Sequence, residues 1–331
     1  MITLLETLCS TYGAPGREEA VAAALQSALS GIEGSCRIDS LGNLLVRTGR
    51  GVSGERILVS AAMDEAALAV TYIEDQGLLR FAPVGGVSPD RLVGHRVMFA
   101  SGSKGIIGCD QTAGSATIKT EQFFIDIGAS DRTEVLNKVS VGDMAVLQGS
   151  VMMLGDRITA KALDNRAGCA AVAETLQRSA GSDHEIWAAF TVQGKTGFRG
   201  IRTAASQIAP SLSLSVSAAE SGDTPGAPRG AAALGQGPGI RVLDGTVITH
   251  ARLREHLAAI AERESIPYQW EVLSRGRSEA GPIQTSAAGI PAGALMIPAR
   301  HLLTGSEMID RRDLEDTVNL LAATLQSDWR S

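Results

Sequence analysis

The sequence predicts an α/β protein interrupted by a small β-barrel, and three observations carry that expectation. The 331 residues exceed one ordinary domain and suit a large α/β unit with a smaller companion. Short apolar runs bounded by polar turns alternate with stretches of helical period near both ends of the chain. Between about Leu68 and Leu154 the texture changes to short β-like runs separated by Gly, Ser and Asp turns, as a small barrel would show.

The elements follow in order. After Gly13-Ala14-Pro15-Gly16, the segment from Arg17 to Leu29 places Val21, Leu25 and Leu29 four apart, the period of an amphipathic helix packed on a sheet, and Pro15 suits its start. The runs Ile57 to Ala62, Ile186 to Val192 and Leu212 to Val216 read as strands covered on both faces. Asn165 to Leu176 carries Ala167, Gly168, Ala171 and Val172, small residues that let a helix lie close against a sheet. His250 to Glu264 and Leu314 to Leu325 repeat the apolar helical period. Within the middle segment the β-like runs are Leu78–Phe81, Val97–Ala100, Phe123–Asp126 and Met144–Leu147, and the most loop-like stretch lies from Ser221 to Gly239.

Composition excludes several classes. A net charge of −6 with no dense Lys/Arg cluster argues against nucleic acid. No apolar run reaches membrane-spanning length, and the opening residues lack a basic, cleavable leader, so a cytoplasmic protein without a membrane partner is expected. Hydrophobic residues make up 44% and aromatics only 4%, so Ala, Val, Leu and Ile must fill the core. Cys9, Cys36, Cys109 and Cys169 show no CxxC spacing and are expected to be buried free thiols.

Seven segments, in this order, carry a resemblance: Ala62-Met63-Asp64-Glu65, Phe81 to Gly86, Ile125 to Ala129, Lys161 to Arg166, Gly197 to Gly200, Asp223 to Gly226 and Ile297 to Arg300. Together they resemble the M42 glutamyl/leucyl aminopeptidases from end to end. The resemblance implies a metallopeptidase-type three-layer α/β domain with a mixed central sheet, residues 1–67 and 155–331, interrupted by an oligomerisation barrel at 68–154. It also implies two divalent ions, such as zinc or cobalt, with a bridging carboxylate, terminal His and carboxylate ligands, and a Glu acting as general base.

Most of those positions are altered here. The family's His-Met-Asp-Glu run has Ala62 in place of its liganding His, keeping Asp64, which resembles the residue that orients that His. Asp164 matches the bridging aspartate. In the Gln-Glu-Glu run Gly194 stands for the general base and Lys195 for a ligand. Ser217 replaces a liganding Asp, and Leu303 replaces the final His. Ala and Leu offer no lone pair and an ammonium repels a cation, so a two-metal site, and with it any cofactor, is not expected.

The survivors leave alternatives open. Lys195 either fills the place of a lost metal and pairs with Asp164, or points to solvent while Asp164 caps the following helix. His301 would share the face of Leu303 on an extended segment, as a substitute ligand or as a rim residue. Glu279 stands where the family has a Gly-Thr-Asp-Ala aspartate, and reads as a pocket residue or a surface one; Arg300 is a further pocket candidate. The leading expectation is a non-catalytic family member that binds a peptide or small molecule, or serves as a subunit of a homo-oligomer, for which the family suggests a dodecamer. The alternative is a hydrolase with relocated ligands or a metal-free mechanism in which Lys195 activates Ser217.

Overall fold

A computed structural model describes residues 1–110, 119–227 and 229–328; of the expected barrel segment, 111–118 lie outside it, as does residue 228 of the expected loop. Eleven strands form one mixed sheet. Nine of them run in the order Ser35–Ile38, Leu44–Thr48, Glu185–Thr191, Arg56–Ala62, Leu212–Glu220, Ala292–Arg300, Glu307–Asp310, Arg157–Ala160 and Met152–Leu154. Gly239–Leu243 pairs with Ala292–Arg300 and with Gln269–Val272. The four strands from Glu185–Thr191 to Ala292–Arg300 are mutually parallel, and the remaining pairings of this sheet are antiparallel apart from Gly239–Leu243 with Gln269–Val272.

Parallel strands need cover on both faces, and the sequence supplies it. Along Arg56–Ala62, Ile57, Val59 and Ala61 pack toward one core, with Leu5, Leu8, Val21, Leu25, Val172 and Leu257. Leu58 points the other way, into a second core with Ile201, Ile208 and Ile283. This alternation makes a three-layer sandwich: the helices Ile2–Ser10, Glu19–Ala28, Leu163–Arg178, Ala251–Arg263 and Arg311–Thr324 supply the first face, and Arg199–Ile208 with Ala280–Gln284 the second. Gly168 lets the helix Leu163–Arg178 approach the sheet, because a Cβ there would stand 2.5 Å from the Val216 carbonyl oxygen and 2.3 Å from Asn165 Oδ1.

The middle segment forms a closed antiparallel barrel of six strands: Ala67–Ile73, Leu78–Val84, Phe123–Asp126, Lys104–Cys109, Arg96–Phe99 and Met144–Leu147, the last pairing with the first. It has a core of its own, with Leu68, Val70, Phe81, Val97, Phe99, Ile125 and Leu147. The strand Met152–Leu154, which the sequence grouped with the barrel, forms an edge hairpin of the large sheet instead.

The expectation that the cysteines are buried is corrected here. Only Cys9 and Cys169 are buried; Cys36 is exposed and Cys109 half-buried, although all four are free thiols. Cys36 sits on Ser35–Ile38, an edge strand whose four residues are all exposed. Among the described residues, no helix is long and apolar enough to cross a membrane.

Candidate functional site

Parallel α/β sheets collect their functional groups where strand ends release the chain into loops. The strand Arg56–Ala62 ends at Ala62 and leads into Asp64. The strand Glu185–Thr191 leads into residues 193–195, and Ser217 lies in the last turn of pleat of Leu212–Glu220. Asp164 enters from the start of the helix Leu163–Arg178 and Glu279 from the residue before Ala280–Gln284. Of these, Ala62, Asp164, Lys195, Ser217 and Glu279 line, together with Arg277, a cavity of about 220 Å³.

The loop 193–195 is drawn down over Asp64. Gln193 N–H donates to Glu18 Oε1 at 2.8 Å, while the N–H groups of Gly194 and Lys195 donate to the two Asp64 oxygens at 2.9 and 2.8 Å. Burial pushes the Asp64 pKa up, opposed by the Lys195 and Gly194 amides and by the Lys195 charge. Glycine is the residue that this descent requires: a Cβ at 194 would stand 2.7 Å from the Ala62 methyl and 2.9 Å from Asp64 Oδ1. Positions 62 and 194 are therefore sterically linked.

The Lys195 ammonium is paired with Asp164 Oδ2, so of the two arrangements left open the chain adopts the bridge. Burial disfavours the ammonium, but Asp164, with Asp64 and Glu307 beyond it, outweighs that and holds the Lys195 pKa above the ordinary lysine value. Glu307 sits behind the pair. Its carboxyl accepts the Asp164 N–H at 2.8 Å and the Leu303 N–H at 2.7 Å, and burial with the Asp164 charge pushes its pKa up to about 8. Asn165 anchors the segment, donating to the Val216 carbonyl at 2.8 Å and accepting from Ala218 N–H at 3.2 Å.

Glu279 is a pocket residue and not a surface one. It is 3% exposed, accepts from the Thr191 hydroxyl, leaves its second oxygen without a partner, and is pushed up to about 7 by burial. Ser217 is half-buried in the cavity wall, but the Lys195 ammonium is engaged by Asp164. Two candidates lie elsewhere. Arg300 forms a two-pronged ion pair with Asp223, at 2.9 and 2.7 Å, which holds the Asp223 carboxyl well below the usual range. His301 is exposed on a turn where both it and Leu303 adopt left-handed backbone, φ 57° and 63°, so the extended geometry that would align them is absent. Leu303 instead packs half-buried against the barrel core.

Sequence reasoning passed over Glu307 because a Glu in a Thr-Gly-Ser-Glu turn looks like surface; its spacing of four from the altered Leu303 was the available signal. It also passed over a buried ionic cluster beneath the site. Glu65 takes the Lys161 ammonium at 2.6 Å and Arg166 at 3.4 Å, and Gly13 N–H donates to it at 3.2 Å. Both cations lay in the segment Lys161 to Arg166 that the resemblance singled out.

The donor set does not fit two divalent ions in this arrangement. Among the described residues, no group of three or more His, Cys, Asp or Glu side chains is gathered to hold a metal. Beside the one retained bridging position stands a paired ammonium, and the positions around it present a methyl, a glycine and a hydroxyl.

Comparison with known proteins gives the ancestry. Residues 42–320 match the family of M42 glutamyl aminopeptidases. A protein from Acetivibrio thermocellus named "Putative aminopeptidase" is 38% identical over 98% of each chain. Among solved structures, the aminopeptidase APDkam598 of the archaeon Desulfurococcus kamchatkensis superposes with a TM-score of 0.94 at 32% identity, covering 98% of this chain and 94% of that one. The TET1 peptidase of Pyrococcus horikoshii, described as assembling into a tetrahedron or a large octahedral shell, superposes with 0.85 at 30% identity and 99% coverage of both. These matches overturn the expectation that no cofactor belongs to this protein: the chain falls among named aminopeptidases of the M42 family, the family whose resemblance implies two divalent ions, so divalent metal is the cofactor class its ancestry implies. Through its three-layer sheet, its inserted barrel and its sequence over nearly the whole length, this chain belongs to the M42 glutamyl aminopeptidase family.

Proposed function

We propose that this chain is an M42 family member in which the inherited two-metal position no longer performs the aminopeptidase reaction and the cleft around it binds a peptide or small molecule. The observation that carries this reading is the Lys195–Asp164 ion pair, backed by Glu307 and roofed by the loop that Asp64 holds down. An ammonium seated on the bridging carboxylate neutralises the charge that a metal would otherwise satisfy, without a metal's capacity to polarise a carbonyl or acidify water.

A second reading, a hydrolase with relocated ligands or a Lys/Ser mechanism, is favoured by the names of the relatives. A Lys/Ser mechanism needs an unprotonated amine directed at the hydroxyl, whereas Lys195 is charged and committed to Asp164. One experiment separates the readings. Purified protein is incubated with zinc or cobalt, dialysed, analysed for metal per chain and assayed against a panel of aminoacyl p-nitroanilides. Metal-dependent or metal-free turnover above that of an Asp164→Ala/Lys195→Ala control establishes the hydrolase; absence of turnover with every metal supports the binding protein.

The same reading includes self-association. We assign the barrel, residues 67–147, as the assembly unit, because it leaves Tyr72, Val93, Ile106, Leu136 and Val141 exposed and the TET1 relative builds shells. Light scattering after gel filtration is expected to return a multiple of the 34.4 kDa chain.

A further inference from the structure

Beneath the inherited site lies a row of oxygen atoms that the fold buries and leaves without partners. Ser60 follows Leu58 by two on the strand Arg56–Ala62, so its side chain points to the second face of the sheet, as that of Ala62 does. Ser213 and Ser215 stand in register with Leu58 and Ser60 on the neighbouring parallel strand and point the same way; Ser217, next in that row, opens into the 220 Å³ cavity. Ser60, Ser213 and Ser215 are at most 1% exposed, and among the described residues none of their hydroxyls has a hydrogen-bond partner. Glu279 reaches the same place from the residue before the helix Ala280–Gln284. Its Oε1 takes the Thr191 hydroxyl, the Ser60 hydroxyl comes close enough to lower its pKa, and Oε2 is unpartnered.

The charges are as unbalanced as the hydrogen bonds. Lys195 is committed to Asp164, and the one charge that bears on Glu279 is that of Asp64, which has the same sign. The buried acids around it are provided for: Glu65 holds Lys161 and Arg166, while Asp64 and Glu307 each accept two backbone amides. Glu279 has neither a cation nor an amide.

We propose that Glu279 Oε2 and the Ser60 and Ser215 hydroxyls form a binding site for a monovalent alkali cation, sodium or potassium, set below the inherited two-metal position and reached through the cavity that Glu279 and Ser217 line. Carboxylate and hydroxyl oxygens are hard donors that suit such ions, whereas softer metals prefer the imidazole or thiolate that this row lacks. One carboxylate among neutral hydroxyls supplies a single negative charge, which matches a monovalent ion; sites for divalent ions gather more. Burial pushes the Glu279 carboxyl up to about 7, so near neutrality an arriving cation displaces a proton from it. The inference goes beyond the reading of the cleft as a ligand site and holds whether or not a peptide binds above.

The test uses the full-length protein, treated with EDTA and held in tetramethylammonium chloride, whose cation is too bulky for the row. Sodium is titrated in at constant ionic strength and followed by the width of its magnetic resonance line, with potassium, magnesium and zinc as competitors. Saturable broadening, reversed by potassium and accompanied by a rise in melting temperature, is the expected result. At about pH 6 the same titration in unbuffered solution is expected to release a proton. Glu279→Gln keeps the side chain's shape but removes its charge, and is expected to bind sodium at least about tenfold more weakly and to release no proton. Ser215→Ala deletes one buried hydroxyl and keeps the inference testable should Glu279→Gln fail to fold; it is expected to weaken sodium by about threefold or more, with no loss of melting temperature in tetramethylammonium. Broadening that does not saturate, or that the variants retain in full, assigns these oxygens to water and overturns the inference. Displacement of sodium by magnesium or zinc at lower concentrations than potassium requires overturns the monovalent assignment.

Discussion

Replacing Lys195 with Met removes the ammonium while keeping an unbranched stem of similar length against Gly85, whose own added Cβ would meet Lys195 Cβ at 2.9 Å. Asp164 is then left facing Glu307 and Asp64 without a counter-charge. Breaking a buried ion pair by removing one partner costs about 3–5 kcal/mol. Lys195 and Asp164 retain 13% and 19% side-chain exposure, so water relieves part of that, and the expected loss is about 2–3 kcal/mol at neutral pH. Asp164→Asn in the same chain should restore about half of it, because the neutral amide no longer needs the cation. The assay is urea unfolding followed by tryptophan fluorescence: of the three tryptophans, Trp187 and Trp270 lie on strands of the large sheet, Trp329 falls outside the described residues near the end of the sequence, and none falls in the barrel segment, so the signal does not report the barrel. A Lys195→Met cost below about 0.5 kcal/mol, or no compensation from Asp164→Asn, would refute the claim that the ion pair holds the site together.

Other consequences are equally direct. Glu307 rises from 4.5 to about 8 on folding, so between those values the folded chain holds a proton that the unfolded chain has released. Its contribution is fully present below pH 4.5 and lost as pH climbs toward 8, with a slope of up to about 1.4 kcal/mol per pH unit, and Glu307→Gln is expected to flatten the stability curve over that window. Gly194→Glu, which returns a carboxylate to the general-base position, is expected to lower stability by about 1–3 kcal/mol and to bring no p-nitroanilide turnover, because its Cβ collides with Ala62 and Asp64. Gly168→Ala is expected to cost a similar amount, read as a lower urea midpoint, by forcing the helix Leu163–Arg178 away from Val216.

The layers of the fold were legible because their causes are periodic. Val21 and Leu25 lie four apart and do form a buried helical face; Ile57 to Ala62 is an apolar run interrupted only by Ser60 and does lie between two layers. The site was legible where it depended on residue type. The residue types at 195 and 164 left two arrangements open, an ion pair or a solvent-facing lysine beside a capping aspartate, and the ion pair is the one present. What depended on backbone direction was not legible. The positive φ angles at His301 and Leu303 turn a strand into a tight turn, and neither residue type announces that conformation. Glu307 and Glu279 were obscure for a related reason: a carboxylate's sequence neighbours do not reveal that tertiary packing will bury it against backbone amides or a threonine hydroxyl.

The contact between Ala62 and Gly194 also sets what the roof of this cleft tolerates. A β-carbon at 194 would approach that of Ala62 to 2.7 Å, so any side chain there must lift the loop that Asp64 and Glu18 fasten. The two positions form one steric unit, and the backbone from 193 to 195 is the part that has to move when residue 194 grows.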